Sequence, residues 1–205
     1  LPRATLQLAP AIVPRMNPSP LPSQSLADRF RGFYPVVVDV ETTGFRPGQA
    51  RIVSVAALAV GDDGNVEHSM SALLNPGVDP GPTHVHGLTV EMLEGQPTFG
   101  DVVGQLVEVL HGRTLVAHNV GFDYGFLAAE AELVGAELPV DSVMCTVELA
   151  RRLNLGTENL RLETLAAHWG VHQMRHHDAL DDAQVLAQIL KPTLARARER
   201  KVWLP

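Results

Sequence analysis

Apolar and polar positions follow two different periods along this chain. Residues 35–41 (PVVVDVE), 51–60 (RIVSVAALAV) and 66–75 (VEHSMSALLN) are short runs rich in valine, which predict three strands. GDDGN joins the second run to the third, and its Asp-Gly pair is a hairpin signal, so the strands are expected in meander order. The period then changes. Phe99, Val102, Val103, Leu106, Val107 and Leu110 recur at helical spacing and predict a helix over 98–111. TLVAHN predicts a short strand leading into a second helix, with Phe122, Phe126, Ala129 and Leu133 on one stripe. Further helices are expected near 145–153 and 160–169, and a last core helix at about 179–190 carries Val185, Leu186, Ile189 and Leu190. Antiparallel strands followed by alternating helices and a strand imply an α/β sheet domain with helices packed on it.

Outside this region the pattern fades. Residues 1–33 are rich in Pro and Ser and are expected to be a flexible N-terminal tail. Within the tail Met16 opens MNPSPLP, so residues 1–15 are expected to be foreign to the native protein. The folded domain is expected over 34–192, and 193–205, with LARARERKVWLP, as a basic, partly helical and solvated C-terminal tail. At 205 residues and 45% hydrophobic content the chain can bury a core of one domain. No apolar run is long enough to span a membrane, no secretory leader is evident, and the single Cys145 rules out an internal disulfide, so a cytoplasmic location is expected. The net charge of −7 argues against a non-specific nucleic-acid binder with a basic footprint. Nothing in the sequence specifies an oligomeric state.

Four of the acids sit where a solvated surface residue would not. Asp39 and Glu41 alternate with valines along a buried strand, so both carboxylates share one face. Asp123 lies in the first turn of a helix beside Phe122, and Asp182 heads the stripe of Val185, Leu186, Ile189 and Leu190. Buried charges must be paired, hydrogen-bonded or metal-bound, and a helix N-terminus contributes under about 1 kcal/mol at an exposed site. No arginine lies on a matching face near these acids, apart from Arg46 beyond the strand end. Carboxylates without a Cys or His pair suit Mg²⁺ or Mn²⁺ rather than zinc. Four of them are enough for two ions about 3.5–4 Å apart, the arrangement of two-metal phosphoryl displacement. RHHDALDDAQVL adds His177, five residues before Asp182, as a candidate general base; on spacing alone His176 is equally placed. Asp178 is read as the helix N-cap.

DVETTG, LVAHNVGFD and HDALDDA together resemble the three motifs of the DEDDh 3′-to-5′ exonucleases, in the same order. HVHGLTVEML followed by QPTF is similar to the epsilon proofreading subunits of DNA polymerase III, whereas ADRFRGFYPVVVDVET resembles ribonuclease T. The resemblance covers about residues 34–192 and implies the ribonuclease H-like exonuclease fold, a mixed five-stranded sheet flanked by helices. It implies that Asp39, Glu41, Asp123 and Asp182 hold two Mg²⁺ or Mn²⁺ ions, and it selects His177 over His176 as general base. It further implies that Thr42 and Thr43 approach the 3′-terminal nucleotide, that His86 lies near its sugar, that Asn119 supports the site, and that Phe45 or Phe122 stacks on a base. The implied substrate is a nucleic-acid 3′ end, DNA favoured over RNA, with a DNA polymerase as a possible partner. Alternatives are an exoribonuclease of ribonuclease T or oligoribonuclease type, a phosphodiesterase acting on free nucleotides, and a non-catalytic module that binds nucleic-acid ends or a polymerase.

Overall fold

The computed structural model describes residues 33–173 and 178–202. Nearly all of the expected N-terminal tail, together with His176 and His177, lies outside the described residues. Five strands form one mixed sheet: β1 (Pro35–Thr42), β2 (Ile52–Val60), β3 (Val66–Leu73), β4 (Arg113–Ala117) and β5 (Val140–Cys145), in the order β3-β2-β1-β4-β5. The first three pair antiparallel as the expected meander, and β4 and β5 add in parallel.

The helices are α1 (Thr83–His86), α2 (Val90–Leu93), α3 (Phe99–Leu110), α4 (Val120–Leu133), α5 (Thr146–Leu153), α6 (Leu162–His168) and α7 (Ala179–Glu199). Strand alternation sorts the core into two layers. Val36, Val38 and Val40 pack with Phe99, Leu106, Phe126 and Leu127 of α3 and α4. Val37, on the other face, packs with Leu149, Leu165, Leu186 and Leu190 of α5, α6 and α7. Asp39 and Glu41 share Val37's parity, so β1 directs them to the side where α7 brings Asp182.

Three elements differ from the sequence expectation. The fifth strand of the expected sheet, β5, was not located by the residue pattern, because it is short and partly polar with only Ser142, Val143 and Met144 buried. The inward face of α4 is Val120, Asp123, Tyr124, Phe126, Leu127, Glu130 and Ala131, while Leu133 is 64% exposed. Two inward carboxylates break the apolar stripe that spacing would otherwise reveal. The last helix continues to Glu199 through Pro192, and Leu194 and Ala197 are fully buried in line with Leu190. The basic tail expected from 193 is thus helical as far as Glu199, but its helix is packed on the core rather than solvated. Its arginines fasten it: Arg200 donates to the Leu153 carbonyl at the end of α5, and the Arg196 guanidinium lies 5.4 Å from the Trp169 ring centroid.

Candidate active site

Pairing between β1 and β4 ends at Val37 and Val116, one residue before β4 itself ends, while β1 runs on to Thr42. The crevice at the carboxyl ends of adjacent parallel strands is where open α/β sheets place ligands. Asp39 and Glu41 follow on β1, α4 begins just after β4, and α7 delivers Asp182 in its first turn. One oxygen from each of Asp39, Glu41 and Asp182 lies within 4.8 Å of the others. Asp123 stands beside this trio rather than in it. Its Oδ1 accepts the backbone N–H of Val40 at 3.1 Å, so the fourth acid is tied to β1 between the first two.

The electrostatics are those of unbalanced negative charge. Burial, then the charges of Asp123, Asp182 and Glu41, hold the Asp39 carboxyl well above the usual range. Burial followed by Asp182 and Asp123 pushes Glu41 up to about 8. Burial also takes Asp123 up to about 8, against the opposing pull of the Val40 N–H. Asp182 rises to about 7 through burial and then Asp181 and Asp178, with the Gln173 amide that donates to its Oδ1 opposing the rise. None of the ion pairs among the described residues reaches these four acids. The Asp39 Oδ2 is buried with no hydrogen-bond partner. A buried carboxyl oxygen without a partner, within an all-carboxylate donor set, fits a hard divalent cation such as Mg²⁺ or Mn²⁺.

The remaining sequence candidates fall into two groups. Phe45, 84% exposed just past β1, is free to meet a ligand. Asn119 takes a left-handed backbone at φ 78° to start α4, and that abrupt entry places Asp123 against Val40. Thr42, Thr43, His86 and Phe122 already have structural engagements. The Thr42 hydroxyl donates to the Gly44 carbonyl at 2.6 Å, and the Thr43 hydroxyl accepts the Arg51 N–H at 2.9 Å. His86 donates from Nε2 to the Pro80 carbonyl and accepts the Leu88 N–H on Nδ1, both at 2.9 Å, so its two ring nitrogens are taken. Phe122 packs at 4.8 Å on Phe126. The loop leading into α1 lies hard against the β1 turn: a Cβ on Gly81 would stand 2.1 Å from the Thr43 carbonyl oxygen.

Other residues at the site escaped the sequence reading. His118 donates from Nε2 to the Leu160 carbonyl at 2.7 Å, with Thr146 Oγ1 2.8 Å from Nδ1; burial lowers its pKa, and it ties β4 to α5 and the loop before α6. Gln173 escaped because a lone polar residue in a loop carries no periodic signal. Asp178 does cap α7, accepting the Asp181 N–H at 3.0 Å.

The family model described as exonuclease, RNase_T, matches residues 36–190. A PolC-type DNA polymerase III from Clostridium perfringens is 36% identical over 166 residues, covering 80% of this chain and 11% of that protein. The 3′-5′ exonuclease DinG of Bacillus subtilis is 32% identical over 167 residues, 80% of this chain and 18% of that protein. This chain thus spans only a small part of both. The epsilon subunit of Escherichia coli DNA polymerase III is 32% identical over 167 residues, 75% of this chain and 68% of that protein. In structure, exonuclease I superposes with a TM-score of 0.71 at 18% identity, over 83% of this chain and 42% of that one. The nuclease domain of 3′hExo, a DEDDh family member bound to rAMP, gives 0.66 at 16% identity, over 81% and 94%. At such identities the likeness is one of fold.

Proposed function

The chain belongs to the RNase_T exonuclease family, and we propose that it is a 3′-to-5′ exonuclease of the DEDDh type that releases nucleoside 5′-monophosphates from single-stranded or frayed DNA 3′ ends. The observation that carries the reading is the convergence of Asp39, Glu41 and Asp182, ligand atoms within 4.8 Å, with a buried oxygen of Asp39 that has no partner. These three, with Asp123 beside them, would hold two Mg²⁺ or Mn²⁺ ions, which when bound supply Lewis-acid stabilisation of the charge that develops at the phosphate.

The chain's own residues do the rest. The crevice at the carboxyl ends of β1 and β4 admits the strand end, and Phe45 offers an exposed aromatic face to a base. His177, outside the described residues, is the proposed general base that takes the proton from the attacking water. Its position ahead of Asp182 matches the family motif His-x-Ala-x-x-Asp. Attack on the last phosphodiester, with departure of the 3′ oxygen of the preceding nucleotide, frees the terminal nucleotide as its 5′-monophosphate. Thr42, Thr43 and His86 shape the pocket wall through the backbone bonds described above, and Asn119 sets the start of α4.

DNA is favoured because the relatives at 30% identity or more include DNA polymerase III proteins. A replicative polymerase is the corresponding proposed partner. No helix among the described residues is long and apolar enough to cross a membrane. The test is digestion of matched single-stranded DNA and RNA oligomers under identical conditions. Faster shortening of DNA supports the proposal, and shortening confined to RNA replaces it with the exoribonuclease reading.

A further inference from the structure

The helix that carries Asp123 is fastened to the sheet a second time, two turns further on. Glu130 is 2% exposed, and its Oε1 accepts the backbone N–H of Ile52 at 3.1 Å. Both of its oxygens also accept from Arg51, Oε1 from Nε at 2.7 Å and Oε2 from Nη2 at 2.9 Å. Asp123 and Glu130 stand seven residues apart and so face the same way along α4. Each spends a carboxylate oxygen on a strand N–H, Asp123 on Val40 of β1 and Glu130 on Ile52 of β2.

The place where Glu130 lands gives this a consequence for the site. The β1–β2 register shifts between Glu41 and Thr42: Glu41 faces Ser54, but Thr42 faces Ile52. The extra residue, Val53, belongs to β2, so the irregularity sits opposite the step of β1 that immediately follows Glu41. Arg51 secures the same spot from the backbone, its carbonyl accepting the Thr43 N–H at 2.8 Å and its own N–H donating to the Thr43 hydroxyl at 2.9 Å. Pro47, in the loop between, packs against α4 at Gly125, where an added Cβ would meet the Pro47 ring at 3.3 Å.

We propose that Glu130, with Arg51, is a positioning residue for the exonuclease reaction, holding the β1–β2 irregularity beside Glu41 and the rotation of α4 that presents Asp123. This rests on the metal-site reading of Asp39, Glu41, Asp123 and Asp182. Partners behind metal ligands typically change affinity or activity about 10- to 100-fold when removed. A clamp that only stabilised the fold would leave both unchanged in the folded protein.

The test compares wild type, Glu130→Ala, Glu130→Gln and Arg51→Ala well below their melting temperatures, with folding verified by near-UV circular dichroism. Mn²⁺ binding is measured by calorimetry without substrate, and kcat and KM on a single-stranded DNA oligomer. The expected result is weaker Mn²⁺ binding and a kcat about 10- to 100-fold lower for Glu130→Ala, with KM nearly unchanged. Glu130→Gln, which keeps an oxygen for the Ile52 N–H, recovers part of the loss. Folded variants with wild-type Mn²⁺ affinity and kcat overturn the proposal. If Glu130→Ala does not fold, Glu130→Gln and Arg51→Ala decide by the same readouts. Failure of the wild type itself to bind Mn²⁺ or shorten DNA would instead overturn the site reading beneath.

Discussion

Asp123 on α4 holds the backbone N–H of Val40 on β1, 83 positions away in the chain, at 3.1 Å. That bond occupies the edge of β1 where the described pairing with β4 has already ended. Asp123 is thus both a strut across the opening and one of the four acids, and the two roles separate by substitution. Asp123→Asn keeps an oxygen for Val40 and loses the charge, so activity falls sharply while stability at pH 8 is kept or improved. Asp123→Ala also strands a buried N–H, which costs about 1–3 kcal/mol. Chemical denaturation and exonuclease assays on both variants check this; equal destabilisation by Asn and Ala would contradict the strut.

The clustered carboxyls set a pH dependence with a definite sign. In the unfolded chain Asp and Glu titrate near 4, whereas folding raises Glu41 and Asp123 to about 8 and Asp182 to about 7. Between those limits the folded chain holds protons that the unfolded chain has released. The contribution of these groups to stability therefore falls as pH rises from about 4 to about 8. In EDTA the melting temperature is expected to drop from pH 5.5 to pH 8, and added Mn²⁺ should restore it more at pH 8, because binding displaces protons. Scanning calorimetry checks both statements, and a melting temperature that climbs over this range in EDTA would oppose them.

Gly81 tests the packing of the loop before α1 on the β1 turn. Its φ of 78° and the 2.1 Å approach of Thr43 leave no room for a Cβ. Gly81→Ala is expected to lose roughly 1–3 kcal/mol and to raise KM for an oligonucleotide as the loop is pushed off Thr43. Gly77→Ala is the control, since Gly77 shares a positive φ of 70° but has nothing within 4 Å of an added Cβ. Equal effects of the two substitutions would show that the close contact is unimportant.

His177→Ala separates proton transfer from metal binding. Turnover is expected to fall on the order of 10²- to 10⁴-fold, with Mn²⁺ affinity close to wild type. Calorimetry and single-turnover kinetics provide the two readouts, and unchanged turnover would remove His177 from the mechanism.

The acids were legible in the sequence because each broke a pattern that otherwise ran apolar: Asp39 and Glu41 on a valine strand, Asp182 at the head of a leucine stripe. Glu130 was not, because its partner Arg51 lies 79 positions away and only the fold brings the two together. For the same reason the inward face of α4 was misjudged. The expected stripe ran through Leu133, whereas the buried face carries two carboxylates satisfied by strand N–H groups. The end of α7 was hidden by its arginines, whose charge suggests solvent although Leu194 and Ala197 continue the buried line. Thr42, Thr43 and His86 were read as groups for a ligand, and their hydrogen-bond partners in the backbone became visible only with the loops in place.

The most direct measurement is the digestion of a 5′-labelled single-stranded DNA oligomer by wild type and Asp182→Asn, in Mg²⁺ or Mn²⁺ and in EDTA. The account predicts a ladder of products shortened stepwise from the 3′ end by the wild type with metal, none in EDTA, and a rate about 10³-fold lower or less for Asp182→Asn, as expected when several kcal/mol of charge stabilisation is lost. Shortening that persists in EDTA, or an Asp182→Asn variant as active as wild type, would contradict it.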